Sequence, residues 1–313
     1  MRNHTHPVSG FQAIAIVTLA AFLLAPGASL ARAAVQKTFP TPNAAMAALI
    51  AAVKARAMDQ VMAILGPELE GFTATRDKAQ NDIDREFFLN GSRILKLEKK
   101  GDDPNTVIAY LGENEWPFPA PLVKTSTGWK FDGTAGLEEI KDREIGRNEL
   151  AAIAACETYG DVQLEYFSSD RQGDGYLQFA QKINSTPGKF DGLYWSNANG
   201  EDMSPIGPFV AQAAAAETGP AGAAVPLSGY YFKILTAQGD AAVGGARSYL
   251  VNGRMLAGFA LVAWPAEYGV TGTSTFLVNQ QGIVYQKDLG ADSAKIARAI
   301  DQFNPDSTWQ KVE

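Results

Sequence analysis

Residues 148–167 read NELAAIAACETYGDVQLEYF, and this stretch decides the fold of the second half of the chain. Its apolar side chains recur at helical spacing over a wide arc, whereas Glu157, Asp161 and Glu165 fall on one narrow edge. The spacing predicts a long, mostly buried helix with one acidic strip. Because carboxylates four residues apart repel each other, the strip is either a solvated edge or half of a site for a cation or a partner. The side chains placed on the buried arc are Leu150, Ile153, Cys156, Tyr159, Val162, Leu164, Tyr166 and Phe167.

The chain after this helix has the alternation and the turn residues of antiparallel strands. Residues 197–228 are rich in Ala, Gly and Pro and are predicted to form a long surface excursion. A final helix is predicted to be capped by Asp292 and to turn Ile296 inward. Residues 141–313 are therefore expected to form one domain, a long helix packed on an antiparallel sheet. The predicted strands are 230–235, 247–251, 258–263, 273–278 and 283–286.

Residues 34–140 have the pattern of three helices followed by a small antiparallel sheet. Thr41 supplies a hydroxyl N-cap, and Pro42 suits the first helical position. The hydrophobic period then changes from that of helices to that of strands, with a hairpin around Thr127-Gly128. Helices followed by strands are typical of an α+β fold. The charged residues 134–147, which lead into the long helix, are predicted to be helical in part.

The N-terminal residues 1–33 are typical of a cleavable signal peptide. Residues 13–24 are almost wholly apolar, and Ala31-Arg32-Ala33 has the small-x-small pattern that a signal peptidase cleaves. The apolar run is too short to span a bilayer comfortably, and no later run is long enough for a transmembrane helix. We therefore expect a periplasmic or secreted protein without a transmembrane segment after cleavage. An uncleaved N-terminal anchor is the alternative.

Removing these 33 residues from a chain of 313 leaves 280 and changes the available chemistry. Both histidines, His4 and His6, leave with the signal, so the mature chain lacks the usual base of serine and cysteine hydrolases and the commonest zinc ligand. Arg2 and Arg32 leave too, which changes the formal charge from −7 to −9. An acidic chain is a poor match for nucleic acid or an anionic membrane surface.

Cys156 is the only cysteine, so the chain cannot form an intrachain disulfide. It lies on the apolar side of the long helix, where its ionisable neighbours are Glu157 and Asp161 and not a base or a cation. We interpret it as a small core residue and not as a nucleophile.

Residues 170–177, DRQGDGYL, follow the long helix directly and form the most specific local motif. On the pattern of an EF-hand loop, Asp170, Gln172 and Asp174 take positions 1, 3 and 5, and Tyr176 offers its backbone carbonyl. The bidentate Glu of a tight site is missing at position 12. The motif therefore predicts either an Asp-Gly turn or a weak structural calcium site, and no other cofactor is expected.

Four aromatic residues in loop-like segments are candidates for ligand binding: Trp116, Tyr194, Trp195 and Trp264. Exposed rings stack on sugars or on peptide side chains, whereas buried rings anchor loops to a core. Carboxylates near one pair raise an enzymatic alternative, because Asp191, Glu201 and Asp202 flank Tyr194-Trp195. Glycosidases use two carboxyl groups about 5–10 Å apart. Sequence proximity does not fix such a distance, so no catalytic residue is assigned.

Several longer motifs carry a family resemblance. They are WPFP at 116–119, IGRNEL at 145–150, GDG at 173–175, STPGK at 185–189, DGLYW at 191–195, GYYFKILTAQ at 229–238, VNGRM at 251–255 and AWPAEYGVTG at 263–272. Through them the mature chain resembles an uncharacterised family of exported bacterial proteins, domain of unknown function 2950. That resemblance implies no particular activity.

Two weaker resemblances concern the fold. Residues 34–140 resemble the cystatin or nuclear-transport-factor-2-like fold, a cone of helices on an antiparallel sheet that hosts enzymes and binding proteins alike. Residues 141–313 resemble the globular heads of pseudopilins. A pilin subunit needs an N-terminal hydrophobic helix for filament packing, but here a separate domain precedes the long helix. The resemblance therefore implies a shared head architecture and not a filament subunit.

These observations predict a non-enzymatic binding or assembly module of the cell envelope. Its partner would be an envelope protein or a cell-wall ligand. The alternative is a carboxylate-dependent hydrolase that acts on envelope glycan or peptide.

Overall fold

The structure, a computed structural model, describes residues 36–69, 78–195, 204–205 and 226–312. The chain divides into two compact units after Arg143, close to the predicted division after residue 140. Helices and antiparallel sheets make up both units, which confirms the predicted α+β class. Among the described residues, no helix is both long enough and apolar enough to cross a membrane. The predicted signal peptide and most of the 197–228 excursion lie outside the described residues.

Three helices open unit 1: α1 (Pro42–Lys54), α2 (Met58–Leu65) and α3 (Lys78–Gly91), with a short 3-10 turn at Pro67–Leu69. As predicted, Thr41 caps α1, since its hydroxyl oxygen accepts a hydrogen bond from the Ala44 N–H at 3.1 Å. The helices bury one face against the sheet that follows. The core of unit 1 is centred on Met46, Leu49, Phe88, Leu122 and Phe131.

The sheet of unit 1 is antiparallel, with strand order β1-β2-β4-β5 and a short β3 paired to β2. The hairpin predicted around Thr127-Gly128 connects β4 to β5, which pair from Leu122↔Phe131 to Thr125↔Gly128. The five strands are β1 (Leu95–Lys100), β2 (Asp103–Leu111), β3 (Trp116–Pro117), β4 (Leu122–Thr125) and β5 (Gly128–Phe131).

The long helix α4 runs without interruption over Gly133–Phe167. The prediction of a helix from 148 with only partial helicity at 134–147 was therefore too short. Two features explain the earlier start. The Asp132 carboxylate accepts a hydrogen bond from the Ala135 N–H at 3.1 Å, and Arg143 pairs with Glu139 at 2.7 Å one turn away.

The buried stripe of α4 in unit 2 is narrower than predicted. Leu150 and Leu164, placed on the buried arc from the sequence, are 68% and 56% exposed. The buried positions instead include two polar residues, which the apolar pattern could not reveal. The stripe is Asn148, Ala152, Cys156, Tyr159, Gln163 and Tyr166.

Gln163 is fully buried, and the core tolerates it because both the nitrogen and the oxygen of its amide have hydrogen-bond partners. The Gln163 NH2 group donates to the Tyr159 hydroxyl at 2.8 Å and to the Ala180 carbonyl at 3.0 Å. The Gln163 oxygen accepts the Ala180 N–H at 2.9 Å. These bonds tie α4 to the loop that follows it.

The main sheet of unit 2 is antiparallel, with strand order β14-β13-β12-β11-β6. Its inner strand β11 is buried along its length, as is β12 after Ser274, and pairs such as Val262↔Leu277 fix their register. The strands of unit 2 are β6 (Tyr230–Leu235), β7 (Ala237–Gln238), β8 (Arg247–Ser248), β9 (Leu250–Val251), β10 (Arg254–Met255), β11 (Ala260–Pro265), β12 (Ser274–Asn279), β13 (Tyr285–Asp288) and β14 (Gln310–Lys311).

The last helix, α5 (Ser293–Ala299), follows Asp292 as predicted, but the Asp292 side chain makes no capping hydrogen bond. Ile296, expected to face inward, is 41% exposed. A carbonyl at the C-terminal end of α5 accepts a hydrogen bond from the sheet, since the Lys233 ammonium of β6 donates to the Arg298 carbonyl at 2.7 Å.

Candidate functional site

The loop at 170–176 is organised around one carboxylate. One Asp170 oxygen accepts hydrogen bonds from the backbone N–H groups of Gly173 at 2.8 Å and Asp174 at 3.2 Å, and the other accepts that of Gly175 at 2.8 Å. Gly173 and Gly175 adopt positive φ values of 69° and 82°, and these backbone angles direct the amides at the Asp170 carboxylate. The predicted Asp-Gly turn is therefore present.

A hairpin 80 residues further along the chain completes this loop. The Arg254 Nε donates to an Asp174 carboxylate oxygen at 3.0 Å, and the Arg254 guanidinium lies 4.0 Å from the Tyr176 ring centroid. The Gln181 amide donates to the Gly253 carbonyl at 2.9 Å. Desolvation raises the pKa of Asp174, but hydrogen bonds from Arg254 and the Tyr176 backbone outweigh it and lower the pKa below its usual range.

The loop and the hairpin together present exposed apolar side chains. Tyr176 is 51% exposed, Leu177 47% and Val251 44%, and Val251 pairs with Arg254 across the short ladder of β9 and β10. We call Tyr176, Leu177, Val251 and Arg254 the loop surface. In the sequence, Tyr176 is identified only as a potential calcium ligand. Arg254 could not be assigned to the same surface, because its partner Asp174 lies 80 residues away along the chain.

The side chains of three of the four predicted calcium ligands have other partners. Both Asp170 oxygens accept backbone amides, and Asp174 pairs with Arg254. Gln172 donates to the Tyr166 hydroxyl at 3.3 Å. The described residues contain no group of three or more His, Cys, Asp or Glu side chains placed to hold a metal. Calcium binding stays a prediction, and a cation here would have to compete with these donors.

The predicted aromatic binding residues differ in their burial and in the unit that holds them. Trp195 and Trp264 are each only 6% exposed and belong to the core of unit 2, where Trp195 packs on Phe190 with ring centroids 5.0 Å apart. Tyr194 is half-buried and bridges to Asn184. Trp116 lies in unit 1, with the Arg143 guanidinium 4.6 Å from its ring centroid. The buried rings anchor loops and leave little surface for a ligand.

Asp191, the first residue of the hydrolase alternative, holds its own turn together. Its carboxylate pairs with the Lys182 ammonium at 2.6 Å and accepts the Thr186 N–H at 2.7 Å and the Thr186 hydroxyl at 2.9 Å. Partial burial raises the pKa of Asp191, but the bonds from Lys182 and Thr186 outweigh it and lower the pKa to about 2. Such a carboxylate cannot serve as a general acid near neutral pH. Glu201 and Asp202 lie outside the described residues.

A surface groove of about 300 Å³ lies over β12 and β13 beside α5. Leu277, Leu289 and Ile300 give it an apolar lining. Trp309 also lines it, with the Lys287 ammonium 5.9 Å from the ring centroid. Lys287 also donates to the Thr308 hydroxyl at 2.6 Å. The groove could not be predicted from the sequence, because no motif marks Trp309. Because Lys287 is already paired with Thr308 and with the Trp309 ring, the groove is a weaker candidate than the loop surface.

A family model described as protein of unknown function (DUF2950) matches residues 36–312. The match spans both units and includes the whole of the loop surface. Neither the curated proteins nor the solved structures contain a match to the chain.

Proposed function

The chain belongs to this family of proteins of unknown function, and from that premise we propose that it is an exported, non-enzymatic binding module of the cell envelope. It would bind an envelope protein through the loop surface. Export rests on the signal-like residues 1–33, and a periplasmic or secreted location follows from them.

The observation that carries the proposal is the set of contacts that hold the loop surface in place. Asp170 fixes the loop through three backbone hydrogen bonds, and Arg254 holds Asp174 and Tyr176 at the same time. Tyr and Arg are enriched among the residues that dominate binding energy at protein interfaces. A preorganised surface loses less conformational entropy when a partner binds, so more of the contact energy appears as affinity.

Catalysis has less support among the described residues. The Asp191 carboxylate is committed to Lys182 and Thr186, and the Asp174 carboxylate to Arg254. Burial and the nearby charge of Glu157 raise the pKa of the Cys156 thiol to about 12, so the thiol is not a nucleophile. The hydrolase alternative therefore depends on residues such as Glu201 and Asp202.

The test uses photo-crosslinking in the cells that produce the protein. A photoreactive amino acid replaces Leu177 in the full-length chain, and the same amino acid replaces Val243, which is 70% exposed in the same unit, as the matched control. We expect one reproducible covalent adduct from position 177, absent from position 243 and weakened by Tyr176→Ala introduced together with the crosslinker.

Three results would contradict the proposal: no adduct at position 177, the same adducts at both positions, or an adduct that Tyr176→Ala leaves unchanged. A cell-wall ligand is distinguished by cosedimentation of the purified mature protein with isolated cell wall. Turnover of that wall material which survives Asp191→Asn would point to a hydrolase that does not use Asp191.

A further inference from the structure

The solvent side of α4 carries a regular seam. Leu150, Ala154, Glu157, Asp161 and Leu164 follow each other at spacings of four, three, four and three residues, the repeat by which helices pack in coiled coils. The seam lies opposite the buried stripe of the same helix. We call these five residues the α4 seam.

The ends of the α4 seam are apolar and its centre is acidic. Leu150 and Leu164 are the two most exposed leucines of the helix, and Glu157 and Asp161 between them are exposed as well. Within the part of the chain that the structure describes, neither of these carboxylates takes part in an ion pair. Glu165, one turn beyond Asp161, does: Arg171 lies 3.2 Å from it.

A second copy of the chain fits this seam poorly. A parallel copy would place Glu157 against Glu157 and Asp161 against Asp161. An antiparallel copy centred on the seam would again oppose Glu157 to itself. Burying like charges against each other costs free energy, and polar residues at such positions select the partner of a helix pair.

From this charge pattern we propose that the α4 seam docks an amphipathic helix of a partner protein, with Lys or Arg opposite Glu157 and Asp161 and apolar side chains opposite Leu150 and Leu164. From Leu150 to Leu164 the seam spans about 21 Å, so the partner helix needs about four turns. The seam shares no residue with the loop surface, and this inference does not depend on the function proposed above.

Two synthetic helical peptides test the proposal on the full mature protein. Both carry leucines at the ends of one seam of the same spacing; one carries lysines at its centre and the other carries glutamates. Fluorescence anisotropy measures their binding at low and at physiological salt. We expect the lysine peptide to bind roughly tenfold tighter than the glutamate peptide at low salt, with the difference reduced as salt increases.

Charge reversal provides the decisive control. The double variant Glu157→Lys and Asp161→Lys should exchange the preference and bind the glutamate peptide more tightly. Leu150→Gln should weaken both peptides, whereas Ile94→Gln, an exposed aliphatic position in unit 1, should change neither. Because all four positions are exposed, the variants are expected to keep the wild-type melting temperature.

Several results would overturn the proposal. They are equal binding of the two peptides, binding of neither, or a preference that charge reversal leaves unchanged. Sedimentation of the purified protein tests whether a second copy of this chain occupies the seam. A dimer that Leu150→Gln dissociates would show that the seam joins two copies of this chain instead.

Discussion

At the scale of single residues, Asp170 organises the loop that carries Tyr176. Its carboxylate accepts three backbone N–H groups that would otherwise need water, and Gly173 and Gly175 supply the backbone angles. The same residue was the first ligand of the predicted calcium site. Two roles are therefore open to one side chain, as an acceptor for the loop's own amides or as a ligand for a cation.

Asp170→Ala separates these roles. We expect the variant to lose about 1–2 kcal/mol of stability in chelator as well as in millimolar calcium, because the amide donors lose their acceptor in both conditions. Thermal unfolding of wild type and variant in the two conditions measures this. A loss confined to the calcium condition, together with a calcium-dependent rise in the wild-type melting temperature, would favour the cation instead.

Asp191 makes a pH-dependent contribution to stability. Its pKa is lowered to about 2 in the folded protein, against about 3.9 for an unfolded aspartate. The carboxylate therefore stabilises the fold fully above about pH 4, and this contribution is lost as the pH falls towards 2.

Asp191→Asn should cost about 2 kcal/mol at neutral pH, since the variant keeps the shape but loses the charge that Lys182 and Thr186 bind. The difference from wild type should shrink between about pH 4 and pH 2. Denaturant unfolding across this range measures it. Asp292→Asn, at an exposed side chain without a capping bond, is the control. A difference that stays constant down to pH 2 would rule out this account.

At the scale of elements, Gly160 in α4 and Gly272 in the turn before β12 have opposite roles. A Cβ on Gly160, inside α4, would meet no atom within 4 Å. A Cβ on Gly272 would overlap the Tyr230 hydroxyl, which donates to the Ser274 carbonyl at 2.9 Å. The first glycine only weakens its helix, whereas the second allows two segments to approach closely.

Gly160→Ala should therefore stabilise the protein by about 0.5–1 kcal/mol, because alanine loses less backbone entropy in a helix. Gly272→Ala should destabilise it by about 1–3 kcal/mol through the forced displacement of Tyr230. Chemical denaturation of the two variants side by side tests both signs. Equal effects of the two substitutions would show that the turn can relax around the added methyl group.

The elements that were predicted correctly had strong local signals. Thr41-Pro42 marked the start of α1, and hydrophobic alternation predicted the strand that became β6. The predictions of burial were wrong where partners distant in sequence determine which side chains are buried. Leu150 and Leu164 were placed on the buried arc because they are apolar, whereas Gln163 lies in the core because Ala180 pairs with its amide, which no periodicity shows.

At the scale of the whole molecule, the candidate site was least predictable. The motifs at 173–175 and 251–255 were both noticed in the sequence, but only the ion pair between Asp174 and Arg254 shows that they form one surface. The solvent exposure of the aromatic side chains could not be predicted from local sequence either. Trp195 and Trp264 looked like binding residues, and their burial follows from a core that forms only when the strands of unit 2 assemble.

Each unit has a hydrophobic core of its own, with Phe131 fully buried in one and Phe276 in the other. Phe131→Ala and Phe276→Ala should each cost about 3–5 kcal/mol. Hydrogen exchange should accelerate mainly in the unit that carries the substitution. Mass spectrometry of the exchanged peptides locates the effect. Uniform acceleration across both units would instead mean that the chain unfolds as one cooperative body.

Because Cys156 is buried, its chemical modification would report transient opening of the core of unit 2. The chain has no second thiol, and this one is sealed in the core of unit 2 with its pKa raised to about 12. An alkylating reagent can therefore mark a molecule only while that core is transiently open. The time course of a single added mass would count those openings, with no probe, dye or engineered label attached.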